Sequence, residues 1–330
     1  MARSRAVASD GISVVVTVRN DREALDELLA ALAEQERVPD EIVVVDGGSD
    51  DGTLESLAGR DDVVAVSLPG SNISAGRNEG IRRARFARIA VTDAGCRPAP
   101  GWLAALDAAL SRSGFAAGVY RVEGRTPFER CLAVALYPAI DEIASRDPLV
   151  RLSHRLFGRA FDVRLATGRS MAFTRAAWEA VGGFPEELYA GEDVWFSSAV
   201  VDSGVPAELV PGAEVSWRPR PTWEANARMY RVYARGDVRR GSRKRHAARA
   251  LVWLASPPLA LLGPRAARLA VLAGAALYLG LPAVRARRTG LPVRDWWRLP
   301  LLVAMKDLAQ IAGAAQGLDD AAHNRPQPRP

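Results

Sequence analysis

Residues 12–53 read ISVVVTVRNDREALDELLAALAEQERVPDEIVVVDGGSDDGT, and the succession of periodicities inside this stretch decides the fold. Residues 12–18 are a nearly unbroken β-branched run, the pattern of a strand buried on both faces. Over residues 20–36 the period changes: Leu25, Leu28, Leu29 and Leu32 recur three and four apart, on one face of a helix. Asn20, with Glu23 three positions on, reads as the N-cap of that helix. Pro39 closes the connection, and residues 41–45 form a second apolar strand. Strand, helix and strand in this order make a parallel pair joined by a right-handed crossover.

The same alternation continues outward, with a third strand expected over residues 63–67, a helix over 75–85 and a fourth strand over 88–92. The fold class is therefore α/β, a doubly wound, mostly parallel sheet with flanking helices. Ligands bind beyond the carboxyl ends of such strands, so the residues at the strand exits are the candidates for a site. Arg19 and Asn20 follow the first strand, the run from Asp46 to Gly52 follows the second, and Asp93-Ala94-Gly95-Cys96 follows the fourth. All are polar or glycine-rich. Neither GxGxxG after the first strand nor GxxxxGK[ST] occurs, which argues against a dinucleotide fingerprint and a P-loop. Farther on, the pattern predicts a helix and a strand to residue 125, a helical insertion over 126–165, a strand over 170–173 and helices over 175–181 and 192–202.

Charge is unevenly spread. Residues 1–217 hold 23 arginines and 32 acids, a net −9, whereas residues 218–330 hold 21 basic residues and 6 acids, a net +15. The basic tail contains uncharged stretches at 250–264 and 269–284, each below the ~20 residues of a spanning helix. Arg265 and Arg268 lie between them and arginines flank both sides, so no charge asymmetry orients a crossing. A pair of interfacial or re-entrant helices on an anionic membrane is the expectation, with two short crossings or a soluble helical cap as alternatives. Nucleic acid is not an expected partner, because the positive charge is interleaved with apolar runs rather than exposed aromatics. Cys96 and Cys131 have no paired spacing, and the three histidines lie far apart, which excludes a disulfide framework and a histidine-rich metal site. No apolar leader precedes the first strand, so the expected location is the cytoplasmic face of the cell membrane, with the catalytic domain in the cytoplasm. The expected organisation is a short arm at 1–10, an α/β domain at 11–222 with halves at 11–100 and 101–222, a helical tail at 223–320, and a disordered end at 321–330.

VVVTVRN at 14–20, DEIVVVDGGSDDGT at 40–53, SAGRNEGIRRA at 74–84, TDAGC at 92–96 and GGFPEELYAGED at 182–193 together resemble, in consistent order, the family-2 glycosyltransferases of the GT-A fold. The resemblance implies transfer of one sugar, with inversion, from a nucleotide-sugar donor to an acceptor hydroxyl, by a catalytic domain at 11–222 whose halves bind the nucleotide (11–100) and the acceptor (101–222). It implies that Val18, Asn20 and Asp46 lie near base and ribose, and that Gly48, Arg77 and Asp93 also belong to the donor side. Asp46 can equally cap the Gly47-Gly48 turn. Asp93 occupies the first acid of the family's DxD, implying Mg2+ or Mn2+, but Gly95 stands where the second acid would be. Asp193 matches the catalytic base, while Glu192, Arg169, Ser170 and Trp217 resemble acceptor-side positions. An acidic pair in the first turn of a helix is also favourable through the helix dipole alone, and Trp217 could equally be core. The processive synthases' QxxRW is absent, so single-sugar transfer is expected. A lipid-linked or cell-envelope glycan acceptor would suit a membrane-facing tail. A catalytically inactive nucleotide-sugar-binding or scaffold protein is the competing reading, motivated by Gly95.

Overall fold

In the computed structural model, which describes residues 8–158, 160–239, 241 and 243–323, the N-terminal alternation becomes β1 (Ala8–Val18), α1 (Arg22–Ala33), β2 (Glu41–Asp46), α2 (Thr53–Leu57), β3 (Val64–Ser67), α3 (Ile73–Arg83) and β4 (Phe86–Asp93). There follow β5 (Cys96–Pro98), α4 (Trp102–Leu110), β6 (Phe115–Val122), α5 (Pro127–Leu136), α6 (Pro148–Phe157), β7 (Met171–Thr174), α7 (Arg175–Ala180), α8 (Glu192–Asp202) and β8 (Ala207–Trp217). Four helices complete the chain: α9 (Trp223–Arg239), α10 (Arg243–Leu262), α11 (Arg265–Arg288) and α12 (Arg298–Ala322). Two compact units result, Met1–Arg121 with Phe161–Trp217, and Val122–Ala160 with Arg218–Pro330.

The first unit is one sheet in the order β3-β2-β1-β4-β7-β6-β8-β5. β1 pairs in parallel with both β2 and β4, and β2 with β3, as the crossover pattern requires. β7 then pairs antiparallel with β4 and with β6, and β5 antiparallel with β8. The β-branched runs are fully covered: Val14, Val15, Val16, Val43, Val44 and Val45 are at most 1% exposed. Leu25, Leu28, Leu29 and Leu32 are the buried face of α1, as their spacing predicts. On the other side Phe115, Phe173, Phe184 and Phe196 form one cluster, with Phe184 and Phe196 stacked at 4.1 Å.

Three expectations need correction. Asn20 does not cap α1; the helix begins after Asp21, whose side chain makes no capping bond, because Asn20 is drawn to the loop after β2. The arm expected at 1–10 is already strand from Ala8, since β1 continues alongside Phe86 of β4, while residues 1–7 lie outside the described residues. The end expected to be disordered from 321 is helical to Ala322, and residues 324–330 lie outside the described residues.

In the second unit the helical expectation for 126–165 is realised by α5, α6 and short 3-10 turns, but these residues do not group with a continuous 11–222 domain. They group with the C-terminal helices through buried polar and aromatic ties. Arg285 of α11 donates from Nε to Glu142 Oε1 at 2.8 Å, and Glu142 also meets His154 at 3.1 Å. Glu129, inside the capping box of α5, accepts from Arg218 at 2.8 Å. Phe157 stacks on Tyr278 at 4.9 Å. α12 packs against α9, and α10 against α11. The apolar stretches lie in helices of 20 and 24 residues, because both extend through flanking arginines. α11 is long and apolar enough to cross a membrane. The length limit drawn from the uncharged runs alone was therefore too strict for this helix.

Candidate active site

Parallel pairing sets the site. Val18 lies opposite Asp46 across β1 and β2, and Thr17 lies opposite Asp93 across β1 and β4. Asp46 and Asp93 therefore end their strands at one edge, two strand spacings or about 10 Å apart.

At the β2 exit, Asp46 is 1% exposed and its carboxylate accepts from the backbone N–H groups of Gly48 and Ser49, each at 3.1 Å, and from the Ser49 hydroxyl. Capping of the turn is what the geometry shows for this carboxylate. Gly48 has φ +94°, and a Cβ there would press on Pro69 Cα at 3.1 Å, so the turn requires glycine. Asn20 holds the loop from the other side in the left-handed region, φ 53°: its N–H donates to Ser49 Oγ at 2.8 Å and its Oδ1 accepts from Asp50 N at 2.9 Å. Val18 is buried beside them and accepts from Gly47 N through its carbonyl. These four residues are thus brought together as one preformed loop pair.

At the β4 exit a second cluster forms around Arg77, which projects from α3 and is only 2% exposed. Its Nη2 donates to Asp93 Oδ1 at 2.7 Å and its Nη1 to Glu192 Oε1 at 2.8 Å. Burial disfavours the guanidinium charge, but Asp93, Glu192 and Asp193 together outweigh it, so the Arg77 pKa rises. Glu192 behaves oppositely: burial first, then the neighbouring Asp193 charge, push its carboxyl up to about 7 against the pull of Arg77. Both shifts are consistent, because Arg77 remains paired with Asp93 when Glu192 holds a proton. Asp193 is half-buried in the first turn of α8; its Oδ2 accepts from Gly168 N at 3.2 Å and its Oδ1 from Val194 N at 2.8 Å. That double backbone grip fixes the carboxylate's orientation while leaving further lone pairs on both oxygens.

The remaining expected residues divide. Arg169 and Trp217 meet, the guanidinium lying 4.1 Å from the Trp217 ring and 5.1 Å from Tyr120. Ser170 is corrected to an interior role: it is 1% exposed, and its Oγ accepts from Trp102 Nε1 and donates to the Ala213 carbonyl, both at 2.9 Å. A hydroxyl so committed presents nothing to an acceptor. Asn78 was missed by sequence reasoning although it lies inside SAGRNEGIRRA. It takes Trp178 Nε1 and Phe184 N on Oδ1 and gives Nδ2 to the Phe184 carbonyl and Glu186, clamping the 182–191 segment to α3. The available signal was two polar residues, Arg77 and Asn78, on the inward side of a helix.

Among the described residues no group of three or more His, Cys, Asp or Glu could hold a metal ion unaided. Asp93 alone is suited, with a carboxylate 32% exposed, one oxygen on Arg77, and open space where Gly95 lacks a side chain. One carboxylate fits an ion that takes its other ligands from substrate oxygens and water. Cys96, beside Asp93, is buried and its thiol is pushed up to about 12, which leaves it inert.

Residues 13–161 match the model of Glycosyl transferase family 2. The chain carries a family-2 glycosyltransferase domain. The match ends before Arg169, Glu192, Asp193 and Trp217, whose placement comes from the structure. The glycosyltransferase is 25% identical over 228 residues, 67% of its own chain and 71% of the other, to Glycosyltransferase AglE of Haloferax volcanii. Its fold is GT-A-like. A mannosyltransferase of Pyrobaculum calidifontis, solved with GDP-Man and Mn2+, superposes with TM-score 0.56 at 20% identity, covering 97% of this chain and 91% of that one.

Proposed function

We propose that this glycosyltransferase moves one sugar, with inversion, from a nucleotide-sugar donor to an acceptor hydroxyl, with Asp193 as the base. The observation that carries the reading is the β4-exit cluster: Asp93, Glu192 and Asp193 gathered on a buried Arg77 at the carboxyl edge of the parallel strands. The preformed turn at Asn20, Asp46 and Gly48 lies about 10 Å away along that edge and suits the nucleoside. One solved complex of a similar fold holds GDP-Man and Mn2+, which supports a donor of this class. Asp193 takes the proton of the attacking hydroxyl, its orientation held by the Gly168 and Val194 amides. Arg77 supplies fixed positive charge near the departing diphosphate, and Arg169, stacked on Trp217, faces the acceptor. A divalent ion would be held by Asp93 and, when bound, neutralises diphosphate charge.

The enzyme works at the cytoplasmic face of the cell membrane on a lipid-linked or cell-envelope glycan acceptor. The length and apolarity of α11 and the exposure of Leu254, Leu261, Leu262 and Leu269 support this location. Calorimetric titration of UDP-, GDP- and dTDP-linked sugars, with and without manganese, tests the donor. Binding of one nucleotide sugar that weakens in Asp93→Asn supports the reading. Absence of binding by all of them, to a folded protein, sinks it.

A further inference from the structure

We infer that α6 carries a binding site for the phosphate group of an anionic membrane lipid, formed by Arg146, Arg151 and Arg155. These arginines, with Pro148 and Leu152, line a cavity of about 330 Å³ in the second unit. All three are exposed, and among the described residues no ion pair or hydrogen bond engages their guanidinium groups. Elsewhere in the same unit Arg285 is neutralised by Glu142, Arg235 by Asp320, Arg218 by Glu129 and Arg288 by Asp147, whereas no acid among the described residues neutralises the three that share this cavity. Three like charges around one cavity repel one another unless a counter-charge enters, and a phosphate matches the guanidinium fork.

The helix around them says which phosphate. At 3.6 residues per turn, Leu149, Leu152 and Leu156 fall along one line of α6, and Arg151 and Arg155 along the line beside it. Val150 and Phe157 point the opposite way and are buried. Leu149 is 43% and Leu156 39% exposed, so an apolar stripe and a basic stripe lie side by side on the outward surface. A free phosphate needs no such stripe. A lipid uses both, its chains against the leucines and its headgroup in the arginine cavity. α6 also lies alongside α11, with Arg288 on its N-cap Asp147 and Tyr278 on its last residue Phe157, so it runs antiparallel to the end of the helix that is long and apolar enough to cross a membrane.

The site extends the membrane location proposed above, and one experiment separates the two. Full-length protein is co-sedimented with vesicles of phosphatidylcholine alone and of phosphatidylcholine mixed with phosphatidylglycerol. The wild type, Arg151→Ala/Arg155→Ala, Leu149→Ser/Leu156→Ser and a charge-matched control, Arg82→Ala/Arg83→Ala in the first unit, are compared, with folding checked by circular dichroism. The expected result is tighter binding to the anionic vesicles, lost by about fivefold per arginine and thirtyfold for the α6 pair. The control retains it, and the leucine pair weakens binding to both vesicle types. Equal loss in the control, or no loss in the α6 pair, overturns the site while leaving the membrane location standing. Failure of the wild type to bind either vesicle removes both. Competition by soluble inorganic phosphate at constant ionic strength as effective as by lipid would reassign the cavity to free phosphate and overturn the lipid proposal.

Discussion

Arg77 is the residue on which the candidate site turns, because a 2%-exposed guanidinium stays charged and depends on the surrounding carboxylates to offset its desolvation. Gly168 makes that packing possible: a Cβ there would sit 1.9 Å from Arg77 Nη2. Gly168→Ala should therefore displace the guanidinium from its buried partners and destabilise the first unit by about 2–3 kcal/mol in chemical denaturation. Glu192 gives a pH signature whose sign is determined by its raised pKa. Folding favours its protonated form, so the stability it contributes is complete below its ordinary value near 4.5 and is lost as pH rises through about 7. Across that window the wild type should lose on the order of 3 kcal/mol relative to Glu192→Gln, and parallel pH profiles of the two proteins would refute the assignment. Asp193→Asn should lower transfer by about 100- to 10,000-fold while leaving donor affinity within twofold or so, since the base acts on the acceptor hydroxyl.

Elements hold these residues by a few cross-links. α3 and the 182–191 segment are joined by Asn78, whose side-chain hydrogen bonds reach that segment and Trp178 of α7. Asn78→Ala strands the Phe184 amide and the Trp178 indole without a partner, and a loss of about 2–4 kcal/mol is expected by thermal or urea denaturation. In the second unit α9 and α12 approach so closely that a Cβ on Gly313 would lie 2.0 Å from the Arg231 carbonyl. Gly313→Ala should force the helices apart at a cost of about 1–3 kcal/mol, whereas Gly274, with nothing near its virtual Cβ, should tolerate alanine without loss. Periodicity identified α1, β1, β2 and α8 because their apolar or acidic patterns are local. It missed the Asn78 clamp because the partners lie more than a hundred residues along the chain.

At the scale of the whole molecule, the net −9 of residues 1–217 and the +15 of residues 218–330 assign attraction to an anionic surface to the C-terminal part. Apolar exposure at Leu251, Leu254, Leu261, Leu262, Leu269 and Leu272 adds a contribution that salt does not screen. High salt should accordingly lower vesicle binding to the level seen with neutral lipid and no further; complete release would show that α10 and α11 do not enter the bilayer. The sequence by itself determined the α/β order, the parallel pairing of β1 with β2, and the acids at the strand exits, because strand and helix periods and turn chemistry are properties of neighbouring residues. Only the tertiary structure decided that Asp46 caps its own turn, that Ser170 is interior, that residues 122–160 join the C-terminal helices, and that Asp93 and Glu192 share one buried arginine. Those outcomes depend on which distant groups desolvate one another, and burial of a charge is settled only when its partners arrive from elsewhere in the chain.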